Sequence, residues 1–371
     1  MEKKTRESNF ELLRIFAMLS IVMAHLTQHG IWFPPESPVN TVFLQSQLFQ
    51  IWSGQLGNWI FVLISGYFVC TSKFSWKKVF ILWFQIFTIS AFLSLVAYFS
   101  KIPVIGFSNS DYSKLGFFEA AKPANKGDLF RCLLPCYFGN NWFATAYLVF
   151  YMFVPFLNSF RENLSKENHL KLIILMFVLA CVVKQFPFQN FFQPDHLFLF
   201  ILGYFVASYI RFYNPKILNH TKINAVLALC LMCAFALWNY LVYKYFLQVP
   251  FVKSHLNQIL SFLGGGMPRF FSLTCTVLIF CVFKNLHAPY SRFINVVASA
   301  SFGVYLFHEN LLVNKFMWHF LLKTDRFVNS PFVLPFMFLS VLIVFSACTI
   351  LELLRKQIVE KPVLNLIERL T

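Results

Sequence analysis

The stretch E-L-L-R-I-F-A-M-L-S-I-V-M-A-H, residues 11–25, decides how the rest of the chain reads. It is apolar enough to lie in a bilayer, yet it carries Arg14 and His25. An ionisable side chain in hydrocarbon costs from about 2.5 kcal/mol upward, so each one inside a span is a candidate for function. Eleven positions at about 100° each make three turns plus about 20°. Arg14 and His25 therefore share one stripe of a helix, about 16 Å apart along its axis. Snorkelling at a helix end also accounts for Arg14 taken alone, and a backbone hydrogen bond also accounts for a core His25. The leading M-E-K-K-T-R-E-S resembles the start of a signal peptide. However, Arg14 and His25 interrupt the apolar stretch and no small-residue cleavage site follows, which makes this the first permanent span.

Nine further apolar runs follow, at about 57–72, 79–100, 142–158, 169–184, 196–210, 223–243, 268–284, 294–314 and 331–354. The ninth span, 294–314, is the least apolar of the ten. The 371 residues are 58% hydrophobic and 12% charged, against about 25% charged in soluble domains. Ten spans of about 20 residues with short loops use up the chain. The expected fold is all-α: one polytopic membrane domain over residues 1–371, with no separate soluble domain. Neither an internal repeat nor a low-complexity segment is evident.

The net charge of +16 would suggest nucleic acid in a soluble protein. Here Lys and Arg lie mainly in short segments between apolar runs, where membrane topology requires them, so no nucleic-acid partner is expected. With the N-terminus cytoplasmic, the inner segments hold about 18 of the 31 Lys and Arg, and residues 30–56 hold none. Both termini are thus expected in the cytoplasm, with the long loops 30–56 and 101–141 exported. Most of the nine cysteines lie in apolar runs and read as small buried hydrophobes. The pair Cys230-x-x-Cys233 is mid-span and lacks the partners of a metal or redox site. Cys132 and Cys136 allow a disulfide if their loop is exported.

Further polar groups fall at the depth of His25. The ninth span, A-S-A-S-F-G-V-Y-L-F-H-E-N-L-L, supplies His308 and Glu309, about 20 Å in from its cytoplasmic end. Asn58, Trp59, Asn140, Asn141, Trp142, Tyr147, Asp195 and His196 reach similar levels from the exported side. Together they imply a polar cavity in the exported half of the bundle. A histidine with a carboxylate near it is suited to take a proton from a hydroxyl.

In this order along the chain, these residues resemble acyltransferase family 3, the bacterial membrane O-acyltransferases of cell-surface carbohydrates. Arg14 and His25 match its Arg, ten residues, His hallmark in the first span. I-F-V-L-I-S-G-Y-F (60–68) is similar to its Ser-Gly-Phe motif, through Ser65, Gly66 and Tyr67. Lys77-Lys78 stand where the family has an Arg-rich start to the third span. Ser301, Gly303, Tyr305 and His308 resemble its Ser-x-x-x-Tyr-x-x-His element, and V-E-K-P (359–362) its closing Glu-x-Pro. One position departs: many members carry a Glu five residues after the fourth-span Trp, where this chain has Tyr147, and Glu309 could take its place.

The resemblance implies a bacterial cytoplasmic-membrane enzyme with acyl-CoA, most often acetyl-CoA, as cytoplasmic donor. The acceptor it implies is a hydroxyl of a surface polysaccharide or lipid-linked sugar. Arg14, Lys73, Lys77 and Lys78 would then hold the CoA phosphates, with Ser65 among the donor-binding residues. His25 would act as general base, oriented by Glu309 or His308, and an acyl-His intermediate is the variant. No metal is expected. The competing class is a transporter or flippase for a lipid-linked saccharide. Against it stand the missing repeat symmetry and the missing pair of Gly- or Pro-broken helices; the run Gly264-Gly265-Gly266 reads as a loop turn.

Overall fold

The computed structural model describes residues 7–31, 54–106, 115–138, 141–183, 195–246, 249–255, 259, 270–328 and 330–370. Asn140, the glycine run 264–266 and most of the 30–56 loop lie outside the described residues. The principal helices are α1 Ser8–His25, α2 Gly54–Val69, α3 Trp76–Phe99, α4 Lys126–Leu133, α5 Trp142–Glu162, α6 Lys166–Phe177, α7 His196–Tyr213, α8 Thr221–Leu241 and α9 Phe270–Asn285. They continue with α10 Arg292–Ser299, α11 Ser301–His308, α12 Val333–Arg355 and α13 Lys361–Leu370. The strands described are β1 Pro103–Val104 and β2 Lys122–Pro123, a two-residue antiparallel pairing. Six described helical segments are long and apolar enough to cross a membrane: those built on α1, α3, α5, α7, α8 and α12. Two shorter apolar helices, within α2 and at α9, accompany them. The protein is an all-α, multi-pass membrane protein.

The chain divides into two compact units. The first comprises residues 1–24, 39–76 and 146–291. Its core joins Phe10, Leu13 and Ala17 of α1 to Ile60, Leu63 and Tyr67 of α2, and to Ala207 of α7 and Phe280 of α9. In lipid there is little hydrophobic drive between helices, so packing rests on close backbone approach at small residues. Gly66 provides one: a Cβ there would lie 2.8 Å from Tyr204 Cα on α7. The Gly of the Ser-Gly-Tyr motif is thus a helix-crossing residue. Caps are local: the Asp195 carboxylate accepts the Phe198 amide at 2.9 Å and starts α7. Left-handed Asn214 (φ 38) ends it.

The second unit comprises 25–38, 77–145 and 292–371. The expected ninth span is not one helix here. It is broken at Ala300 into α10 and α11, each of 8 residues. Two buried polar groups fall near this break, Asn295 and Ser301. The possible Cys132–Cys136 disulfide is not formed; both are free thiols, Cys132 buried. Cys230 and Cys233 are exposed rather than buried. They sit on α8 among the exposed Val226, Leu227, Leu229 and Leu237, an outward apolar face of the kind lipid covers.

Candidate active site

All of the site's groups lie in the second unit. They come from the end of α1 with the π-helical turn Leu26–Gly30 that continues it, and from the end of α11. π-turns occur disproportionately at functional sites, and this one carries His29 beyond His25. On α11, Ser301, Tyr305 and His308 recur at helical spacing and all three are buried. Glu309 is the C-terminal cap residue, its amide bonded to the Tyr305 carbonyl at 3.1 Å.

Four titratable side chains meet. His25 Nδ1 is 2.9 Å from His308 Nε2 and 3.1 Å from Glu309 Oε2. His29 Nε2 is 3.1 Å from Glu309 Oε1. On its far side, His308 Nδ1 stands 2.6 Å from the Val304 carbonyl. A carbonyl only accepts, so His308 Nδ1 carries the proton and, in the neutral ring, its Nε2 is an acceptor. His25 Nδ1 must then be the donor of the 2.9 Å bond. That leaves His25 Nε2 with a free lone pair. The His25 side chain keeps 15% of its surface open, whereas residue His308 is 1% exposed. His25 is therefore the reachable imidazole and His308 the buried one that fixes its tautomer.

Both supports of the cluster are themselves anchored. On the π-turn side, His319 Nε2 is 2.8 Å from the His29 carbonyl and its Nδ1 is 2.7 Å from Asp325 Oδ2. Thr324 donates to the Gly30 carbonyl, and the Phe117 ring stacks on His319 at 5.2 Å. On the α11 side the anchor is a buried charge network. Glu352 of α12, fully buried, accepts from Gln85 at 2.9 Å and from Arg355 at 2.8 and 2.9 Å. Arg355 also binds Glu360, and Lys356 Nζ donates to the Ser299 carbonyl at 2.6 Å. The network touches α11 at Gly303, where a Cβ would stand less than 3.0 Å from the Glu352 side chain. Outside the spans, burial lowers the Lys315 ammonium below its usual value, and the Glu309 charge opposes that shift.

The structure thus brings together three of the residues singled out in sequence, His25, His308 and Glu309, and adds His29. The H-x-x-x-H spacing in H-L-T-Q-H (25–29) was the available signal for it. The proposed donor-site residues are described in separate units. Arg14, paired with Glu11 at 3.0 Å, half-buried Ser65 and exposed Lys73 are in the first. Exposed Lys77, bound to Glu368, and exposed Lys78 are in the second. Of the expected polar-cavity residues, Asn141 is buried in the second unit. Asp195 caps a helix, Trp59 is fully buried, and Tyr147 packs 6.3 Å from Phe150 and Phe200 in the first unit. Glu360 of the closing Glu-x-Pro serves the Arg355 network.

A search of curated proteins and a search of solved structures each returned no match. The family model of acyltransferase family 3, described as an acyltransferase domain, matches residues 7–351. That match takes in both units and every residue of the His–Glu cluster, and the chain belongs to this family: it is a membrane acyltransferase.

Proposed function

We propose that this protein is an O-acetyltransferase that moves an acetyl group from cytoplasmic acetyl-CoA to a hydroxyl of a surface polysaccharide or lipid-linked sugar. His25 is its general base. The observation that carries this reading is the Val304–His308–His25 hydrogen-bond chain, which leaves the lone pair of His25 on the more exposed ring. As the sugar oxygen attacks the thioester carbonyl, His25 Nε2 takes the hydroxyl proton. The C–S bond then breaks, and the departing CoA sulfur receives that proton. While the imidazolium exists, the Glu309 carboxylate 3.1 Å from Nδ1 stabilises it, the role a carboxylate plays beside a catalytic imidazole. His29 keeps Glu309 in place.

The same reading assigns the CoA phosphates to Arg14, Lys73, Lys77 and Lys78, with Ser65 among the donor-binding residues. It takes residues 1–371 as one acyltransferase domain of about ten spans in a bacterial cytoplasmic membrane, both termini inside, as the loop charges favour. The test is transfer of labelled acetyl from acetyl-CoA to acceptor glycan by purified protein. His25→Gln should lose about 10³-fold in kcat, within the range of general-base catalysis, while remaining folded. Near-normal turnover in His25→Gln would remove His25 as the base. A chain that moves lipid-linked saccharide without labelling it is a flippase.

A further inference from the structure

The donor atoms around His25 converge as ligands converge on a metal ion. His25 Nδ1, His308 Nε2 and a Glu309 carboxylate oxygen lie within 4.8 Å of one another. His29 Nε2 lies outside that group and holds the second Glu309 oxygen at 3.1 Å. We propose that this cluster binds a divalent transition-metal ion, with Zn²⁺ the best fit, and that the bound ion blocks acyl transfer. The blocking rests on the general-base reading of His25; the binding rests on the geometry alone.

Tetrahedral zinc holds imidazole nitrogen and carboxylate oxygen at about 2.0–2.2 Å, which separates neighbouring donors by about 3.3 Å. The separations of 2.9 and 3.1 Å from His25 Nδ1 need to open by a few tenths of an ångström, with all three donors within 4.8 Å of one another. Two imidazoles and one carboxylate, with a water completing the tetrahedron, suit zinc, whereas Ca²⁺ and Mg²⁺ want shells of six or more oxygens. The surroundings match a metal site too. His308 Nδ1 is committed to the Val304 carbonyl, the outer-shell bond that usually fixes a ligating histidine with its other nitrogen toward the ion. Glu309 Oε2 is buried in the cluster with no hydrogen-bond partner among the described residues, a donor that an ion would satisfy.

The chemical consequence follows from the tautomers. Metal at His25 Nδ1 displaces the proton held there, and the neutral ring carries its proton on Nε2 instead. The lone pair that would take the hydroxyl proton is then gone.

The test uses the purified full chain, stripped with EDTA and titrated with ZnCl₂. Equilibrium dialysis with metal analysis should find one tightly held Zn²⁺ per chain. Affinity should fall at least about 10-fold in His29→Ala, His308→Ala and Glu309→Gln, a loss of the size seen when a metal's supporting groups are removed. His220→Ala, an exposed histidine outside the cluster, should leave affinity unchanged. X-ray absorption of zinc-loaded wild-type chain needs no variant, and should show imidazole nitrogens at about 2.0 Å. A sulfur-containing first shell, or affinity indifferent to the three cluster substitutions, overturns the site. Zinc should also stop acetyl transfer, and EDTA should restore it; bound zinc with transfer unimpaired overturns the blocking. Metal content is read without turnover, so a chain that binds zinc in the cluster but never transfers acetyl would sink the enzymatic reading and leave the metal site standing.

Discussion

Gly303→Ala tests whether the Glu352 network fixes His308 from behind. The added Cβ would stand less than 3.0 Å from Glu352 Cγ, Cδ and Oε2, where carbon contacts are comfortable at about 3.5–4.0 Å. Something must move by about 1 Å. Glu352 has little freedom to do so, since Gln85 and Arg355 hold both of its oxygens. Overpacking of this kind costs about 1–3 kcal/mol. If Glu352 yields, its buried hydrogen bonds are lost as well. If α11 yields, His308, five residues along it, moves away from His25 and the 2.9 Å bond opens beyond hydrogen-bonding range. A misplacement of about 1 Å costs about 10²-fold in rate, or about 2.7 kcal/mol of barrier. The assay is acetyl transfer by purified protein together with its thermal midpoint in detergent. Gly303→Ala should lower kcat by about 10²-fold with a smaller change in the KM for acetyl-CoA. Glu352→Ala should cost less stability in the Gly303→Ala background than in wild type, because contacting residues are non-additive. Wild-type midpoint and kcat in Gly303→Ala would refute the network as the anchor of α11.

Four other outcomes are expected. Glu309→Gln keeps a hydrogen-bond acceptor for His29 but loses the charge beside His25, so kcat should fall on the order of 10²-fold; His308→Ala should fall less than His25→Gln, as an orienting group. Arg14→Ala should raise the acetyl-CoA KM strongly, and Arg14→Lys should recover only part, because guanidinium grips phosphate with two prongs; unchanged KM would take Arg14 out of the donor site. Tags in 101–141 should be labelled from outside intact cells and a C-terminal tag only after permeabilisation; both on one side would end the proposed topology.

Much of this protein was legible in its sequence because lipid imposes a simple grammar. Long apolar runs gave α3, α5, α7, α8 and α12 to within a few residues at most of their ends. The cost of a titratable group in hydrocarbon drew attention to His25, and matching depth linked it to His308 and Glu309. Hydropathy was silent elsewhere. It cannot separate a lipid-facing residue from a protein-facing one, since both faces of a span are apolar, and so Cys230 and Cys233 were misassigned. His29 lies in the polar L-T-Q-H at the end of its run, which reads as a boundary. The tenth apolar run stops at 354, and hydropathy gives no sign that Arg355, the next residue, is a buried partner of Glu352. The break at Ala300 was hidden because A-S-A-S is equally compatible with a continuing helix and an interrupted one.

The two outward cysteines of α8 make the protein its own depth gauge. Cys230 and Cys233 are one helical turn apart, about 4.5 Å along the axis, on a face bounded by Val226 and Leu237. Maleimides react with thiols that water reaches. Water-borne maleimide should therefore pass both by in an intact bilayer and modify them once detergent admits water. A spin label or bimane attached at either position, with the eight other thiols replaced, would report immersion by its quenching by lipid-soluble and water-soluble agents. The difference between the two sites would give the direction in which α8 runs through the membrane, without inserting a single tag.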